Sequence, residues 1–431
     1  MKIAYFTPVS PQKTGIADYS EKEVIPYLSR YVDIDIFIDK NVRPNNEYLK
    51  GKFNYFSYTD FEKLKNDYDV ALYQMGNNRL HEFIYNTLLD YPGITVLHDI
   101  YLHGFFRSIT LASGYKKRYL DEFYYCYGET GLQTAKNAIK SDLFPEFDYP
   151  LLRRILDYSV GVICHSEFGI HKVLKEKPDS ICTKIQQPIT ILQEIDKINL
   201  LNIENIRKDL FITDKYPVIT SFGFISAHKR YPVIIRTFKE FLKYYPNAVL
   251  FLVGEDLMDI QKFVNEMGLK DSVITTGYVS HDRILEYLAI SDFCINLRYP
   301  TAGETGRSVL QIMAAEKPVI VSNVGWFSEL PGECCIKIDV DSFEEDVLLE
   351  SMKVLAYNEG LREQIGKNAL QYVRCEHDPE KVARNYFSFI RSTLNGDEIL
   401  LHAASCALAD LGIEETDSQI ISSLALNLIR M

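Results

Sequence analysis

Polar side chains able to handle a sugar or a phosphate stand at the ends of apolar runs in this chain of 431 residues. The stretch from Asn296 to Pro331 concentrates them. The apolar run Phe293 to Leu297 predicts a strand, and Tyr299 to Thr305 is a polar loop. Val309, Leu310, Ile312, Met313 and Ala314 then have the spacing of a largely buried helix, and Pro318 to Val321 predicts the next strand. In an open parallel sheet, ligands bind where a loop leaves a strand's carboxyl end and enters a helix. The helix N-terminus there offers unpaired N–H groups and the positive end of the dipole, suited to hydroxyls and phosphates. Glu304 lies in that turn, with a carboxylate that can accept from sugar hydroxyls. His98 follows the apolar run Ile94 to Leu97 and falls at the same kind of edge. It reads either as a ligand contact or as the cap of the following turn. As zinc ligands, His98 and His103 fit poorly, since no Cys or Glu completes a set.

The elements that must hold these residues alternate between strand and helix. Strands are predicted at Ile3–Thr7, Ile34–Ile38, Val70–Gln74, Ile94–Leu97, from Val160, and near 184–187, with helical patterns between them. A second series begins at Pro217 and continues at Ala248–Gly254, Val273–Tyr278, Phe293–Leu297 and Pro318–Val321. Alternation of this kind implies parallel sheets with right-handed crossovers, and the length exceeds one ordinary core. The boundaries expected are a first domain over 1–200, a second over 205–378, a crossover helix over 379–394 and a helical tail over 395–431.

The net charge of −12 argues against nucleic acid, whose phosphates need Lys/Arg surfaces. No run of about 18 apolar residues could span a membrane, and the N-terminus enters a strand with no signal-peptide pattern. Eight scattered cysteines without a CxxC motif read as buried free thiols in a reducing cytoplasm. The segment Tyr101 to Tyr127 is aromatic and basic. It reads as an acceptor wall, as a patch for anionic lipid headgroups, or as a solvated helix face with aromatics in the core.

The central stretch resembles the donor site of retaining GT-B glycosyltransferases, the large family-4 group that uses nucleotide sugars. The match runs through Gln311, Met313, Ala314, Glu316, Lys317, Pro318, Val319 and Ile320, with Gln311 in place of the group's second Glu. Its first Glu is displaced by one, so that Gly303 stands at the usual place and Glu304 follows. By resemblance Glu304 inherits contact with the donor sugar and Gln311 contact with the ribose, with Gly303, Thr305 and Gly306 in the same donor loop. The segment from Pro11 through Gly15 to Ser20 resembles the group's entry loop, where Gly15 lets the backbone approach the diphosphate. Read without the resemblance, Gly15 permits a tight strand-to-helix turn. The pattern from His98 to His103 resembles the stretch whose His lies beside the anomeric centre. Gly223 and Lys229 keep the spacing of the diphosphate-binding motif, but Phe224 replaces its Arg. Arg230, Arg298 or Arg307 could supply that charge.

The resemblance implies an α/β chain of GT-B architecture, two Rossmann-like domains facing across a cleft, with a helical C-terminal extension. It implies transfer of a hexose or deoxyhexose from a nucleoside-diphosphate sugar to a glycan, glycoconjugate or lipid-linked acceptor, with retention and without a metal or other cofactor. His98, Lys229 and Glu304 would be the catalytic residues, and the setting surface-polysaccharide assembly in the cytoplasm, including the inner membrane face. Peripheral membrane contact and a homo-oligomer stay open. Phe224 and Gln311 motivate the rival reading, a non-catalytic GT-B-like subunit that binds a glycan, nucleotide or protein partner.

Overall fold

The computed structural model describes residues 1–194 and 202–396. The expected tail helices beyond Glu398 lie outside the described residues. The chain forms two compact units, one from Met1–Gln186 with the helix Pro379–Asn395, the other Gln187–Asp378.

The first unit holds seven parallel strands: β1 (Lys2–Phe6), β2 (Asp33–Ile38), β3 (Asn54–Ser57), β4 (Val70–Met75), β5 (Gly93–Leu97), β6 (Ser159–Cys164) and β7 (Cys182–Lys184). Their order is β3-β2-β1-β4-β5-β6-β7. The chain winds one way from β1 and then the other, so the switch point lies between β1 and β4. The second unit repeats the plan with β8 (Val218–Phe222), β9 (Val249–Val253), β10 (Val273–Gly277), β11 (Phe293–Asn296), β12 (Val319–Ser322) and β13 (Ile336–Ile338). Its order is β10-β9-β8-β11-β12-β13, with the switch point between β8 and β11.

The inner strands β4, β5, β8, β9 and β11 are buried along their whole length. Helices cover both faces of such sheets, which is why these strands read as continuous apolar runs. The helix Tyr231–Phe241 buries Tyr231, Val233, Ile234, Ile235, Phe238 and Phe241 against the second sheet's core. In the first unit, the helix Pro379–Asn395 buries Val382, Ala383, Tyr386, Phe389 and Ile390. Tyr386 shares a 2.5 Å hydroxyl contact with Tyr19, and Glu380 accepts from Tyr31 and Arg30. Gly161 on β6 leaves room for Phe389, whose ring lies 3.2 Å from where a Cβ would stand.

The aromatic and basic segment sorts by burial. Phe105, Phe106, Tyr119 and Phe123 are in the core, while Tyr115, Lys116, Lys117 and Arg118 are exposed. No helix among the described residues is long and apolar enough to cross a membrane.

Candidate active site

The second unit gathers its candidate residues at the β8/β11 switch point. At the end of β8 the backbone turns at Gly223 with φ +105, and its N–H donates to the Val253 carbonyl at 2.9 Å. Gly254 approaches closely, since a Cβ there would lie 2.2 Å from the Gly223 carbonyl oxygen. The chain then makes a 3-10 turn, Ala227–Lys229, before Arg230 takes a left-handed φ of 54 and the helix begins at Tyr231. Lys229 therefore precedes the helix. It is only 9% exposed, and its Nζ donates to the Phe222 carbonyl at 3.2 Å. A Cβ on Gly223 would lie 2.1 Å from that nitrogen, so this glycine is what lets the lysine lie there.

At the end of β11, Asn296 donates to Ser308 Oγ at 3.0 Å, and the Arg298 N–H donates to Ser322 Oγ at 2.8 Å. The Tyr299 N–H donates to the His228 carbonyl at 2.7 Å, which ties the loop after β11 to the loop after β8. Glu304 is held from two sides. Thr301 Oγ1 donates to its Oε2 at 2.8 Å, and Arg298 Nε lies 3.2 Å from its Oε1. Gly303 has φ +80 and donates its N–H to Thr301 Oγ1 at 3.0 Å. The helix Arg307–Ala314 follows, with Gly306 at its N-cap and Gln311 half-buried one turn in. Thr305 Oγ1 is buried without a hydrogen-bond partner among the described residues.

The electrostatics follow from this crowding. Burial holds the Lys229 amine well below the ordinary lysine value, and Arg298 adds to the effect while Glu304 opposes it. His228 is pushed down to about 4 by burial first, then by Arg298 and Lys229, again against Glu304. Two cationic side chains thus share one carboxylate in a mostly desolvated place. An anionic ligand would relieve their repulsion.

One sequence expectation needs correction here. Arg230 does not supply the charge missing at Phe224. Its guanidinium forms a fork with the buried Glu344, through Nε at 2.7 Å and a second, shorter contact. Arg298, one of the three arginines the sequence left open, is the one that acts on Lys229. Trp326 is 1% exposed and packs with Phe327, the rings 5.2 Å apart. Gly306 rests on this pair, because a Cβ there would lie 2.6 Å from Phe327 Cε1. Gly306→Ala should therefore lower stability by about 1–3 kcal/mol, as overpacking does, measured by urea unfolding.

In the first unit, Gly15 opens the short helix Gly15–Asp18, whose Ile16 N–H is accepted by Thr14 Oγ1 at 3.3 Å. Its φ is not positive, and an added Cβ would meet nothing within 4 Å. The tight-turn explanation for this glycine therefore fails. His98 lies past β5, 9% exposed, with Nε2 2.8 Å from Gln74 Oε1. Its imidazole is held well below the usual histidine range, by burial first and then by His165 and His81. The contacts that Gln74 and His165 make with His98 were not legible from sequence. Phe224 is 54% exposed where the motif has its Arg, and Tyr278, after β10, is 79% exposed. No cluster of three or more His, Cys, Asp or Glu suited to a metal occurs among the described residues.

Residues 202–372 match the family model described as Glycosyl transferases group 1. The chain is 28% identical over 191 residues to an alpha-monoglucosyldiacylglycerol synthase of Streptococcus pneumoniae, covering 42% of this chain and 41% of that one. It is 24% identical over 159 residues to an alpha-D-kanosaminyltransferase of Streptomyces kanamyceticus, covering 36% of this chain and 40% of that one. The matches thus span about two fifths of these relatives' length. Among solved structures, HepE from Anabaena, crystallised with UDP and glucose, superposes with a TM-score of 0.61 at 16% identity, over 91% of this chain and all of that one. The fold is the GT-B type, two Rossmann-like α/β units.

Proposed function

We propose that this chain is a retaining glycosyltransferase that moves a hexose or deoxyhexose from a nucleoside diphosphate to a hydroxyl of a glycan or glycoconjugate. The observation that carries the reading is the grouping of Gly223, Lys229, Arg298 and Glu304 at one switch point. As the bond from the anomeric carbon to the diphosphate breaks, negative charge develops on the leaving oxygen. Lys229 and Arg298 are the cations to meet it, in a desolvated place where such contacts are strongest. Glu304, oriented by Thr301 and Arg298, accepts hydroxyls of the sugar. Gly303, Thr305 and Gly306 bring the backbone and the helix N-terminus towards the diphosphate, and Gln311 serves the ribose.

In this reading the acceptor oxygen attacks from the face the diphosphate leaves. Its proton passes to the departing diphosphate oxygen, so no enzyme carboxylate forms a covalent intermediate. Two protein cations supply the charge that a divalent metal would otherwise bring, so the reaction is assigned no metal. The first unit's share, through Gly15 at the diphosphate and His98 at the sugar, rests on the resemblance. Surface-polysaccharide or glycolipid assembly on the cytoplasmic side is the setting inferred.

Melting temperature measured against nucleoside diphosphates and nucleotide sugars, without added metal, tests donor binding. One base and its sugar conjugates should raise it by mass action. Release of that diphosphate together with a new glycoside of the donor's own anomeric configuration then tests transfer and its stereochemistry. Binding without transfer to any acceptor would favour the non-catalytic subunit, the reading that Phe224 and Gln311 motivate.

A pH dependence follows from Lys229. Its amine is depressed in the free protein, and a bound diphosphate raises it, so the complex holds more proton than its parts. Between the free and bound values, affinity for the nucleotide sugar should fall as pH rises. Calorimetry in buffers of different ionisation enthalpy should read proton uptake there, and Lys229→Met should abolish it.

A further inference from the structure

Three buried histidines stand beyond the carboxyl ends of β4, β5 and β6 in the first unit, and their partners decide where each ring carries its proton. His165 has Nδ1 2.8 Å from the Ile185 carbonyl oxygen, and His81 has Nδ1 2.9 Å from the Gln74 carbonyl oxygen. A carbonyl oxygen only accepts, so both rings are protonated at Nδ1. Their Nε2 atoms are bare acceptors, buried and without a partner among the described residues.

His98 is the reverse. Its Nε2 is 2.8 Å from the side-chain oxygen of Gln74, a fully buried residue of β4. With the amide oxygen turned to the ring, an acceptor only, Nε2 carries the proton and Nδ1 is bare, and the amide's own nitrogen is then buried without a partner among the described residues. The ring is flanked by Tyr19, edge-on at 4.6 Å, and by His165 at 5.0 Å. Tyr19, His165 and His81 act on it, and burial and the two neighbouring histidines oppose an imidazolium.

A neutral ring with a bare nitrogen accepts from a hydroxyl and is repelled by the lone pairs of a phosphate oxygen. We propose that Gln74 is a positioning residue that holds His98 with Nδ1 as the acceptor for a substrate hydroxyl. His98 then reads the sugar and does not serve the diphosphate. Only the identification of that hydroxyl as a sugar's rests on the transferase reading above.

The tautomer can be read without any ligand, by long-range ¹H–¹⁵N correlation on protein labelled at histidine. His98 should show one neutral tautomer, protonated at Nε2, from about pH 6 to about pH 8. In Gln74→Glu the new carboxylate should favour the doubly protonated ring over the same range. A proton on Nδ1 in the wild type, which a rotated Gln74 amide would give, overturns the proposal, and so does a ring unchanged in Gln74→Glu. Binding supplies the second readout, with UDP and UDP-glucose as probes. Gln74→Leu should weaken UDP-glucose about tenfold and leave UDP unchanged, because only the sugar meets His98. Equal losses for both probes would make Gln74 merely structural. If Gln74→Leu fails to fold, the nearly isosteric Gln74→Glu carries the same comparison. A wild-type protein that binds neither probe counts against these donors, and the ligand-free tautomer still decides the role of Gln74.

Discussion

Lys229→Ala should cut turnover by about two decades or more while making the folded protein no less stable. The two halves of this expectation come from one fact. Lys229 is 9% exposed, and the one described hydrogen bond of its amine goes to the Phe222 carbonyl. Keeping an ammonium there costs stability, and Arg298 makes the cost larger. A lysine serving the fold alone would be a poor choice for the position. One waiting for a diphosphate is placed where its charge counts most, and losing a donor of that kind typically costs 10² or more in rate. The pH dependence separates the halves further. The folded value lies below the unfolded one near 10.5, so between those values the unfolded chain holds more proton. Stability of the wild type should therefore rise with pH across that window. The penalty is fully present below the folded value and vanishes above 10.5, so the stability gained by the Ala variant should shrink as pH rises. Urea unfolding at several pH values and a turnover assay check both. Near-normal turnover in the variant would remove Lys229 from the mechanism.

Which parts of the molecule could be read from sequence follows from burial. Inner strands such as β8 and β9, apolar on both faces, stand out as unbroken runs. The strands β3 and β13 escaped the reading because each is a short edge strand, half-exposed for most of its length. Their composition, Asn54 to Ser57 and Ile336 to Ile338, is too short or too polar to separate from loop. The candidate site divides in the same way. Glu304, Gly303 and Gln311 stand where their sequence places them, in or after the loop of one continuous strand-loop-helix stretch. Arg230 misled because adjacency to Lys229 suggests shared duty, whereas its left-handed backbone and Glu344, 114 residues away, fix where its guanidinium goes. Arg298 and Gln74 could not be assigned for the complementary reason. Their partners, Glu304 and His98, are set by loop geometry and by strand pairing that local sequence does not encode.

Gly223→Ala should lower turnover by about a decade or more with the lysine still present. Two separate costs fall on this position. The backbone has φ +105, where a side chain is strained by about 1–3 kcal/mol. The new methyl would also stand 2.1 Å from Lys229 Nζ, so the amine must leave the place it now occupies. Relaxation of the backbone is hindered on the other side, because Gly254 already packs against the Gly223 carbonyl. A double-mutant cycle with Lys229→Ala tells the two costs apart. The strain term should persist in the double variant and appear as lowered stability by urea unfolding. The clash term should vanish there, since no amine remains to be displaced. Turnover of the double variant should then equal that of Lys229→Ala alone, the two losses being one loss reached by different routes. Fully additive losses in turnover would mean that Gly223 acts on the diphosphate through its own backbone and independently of where the lysine lies.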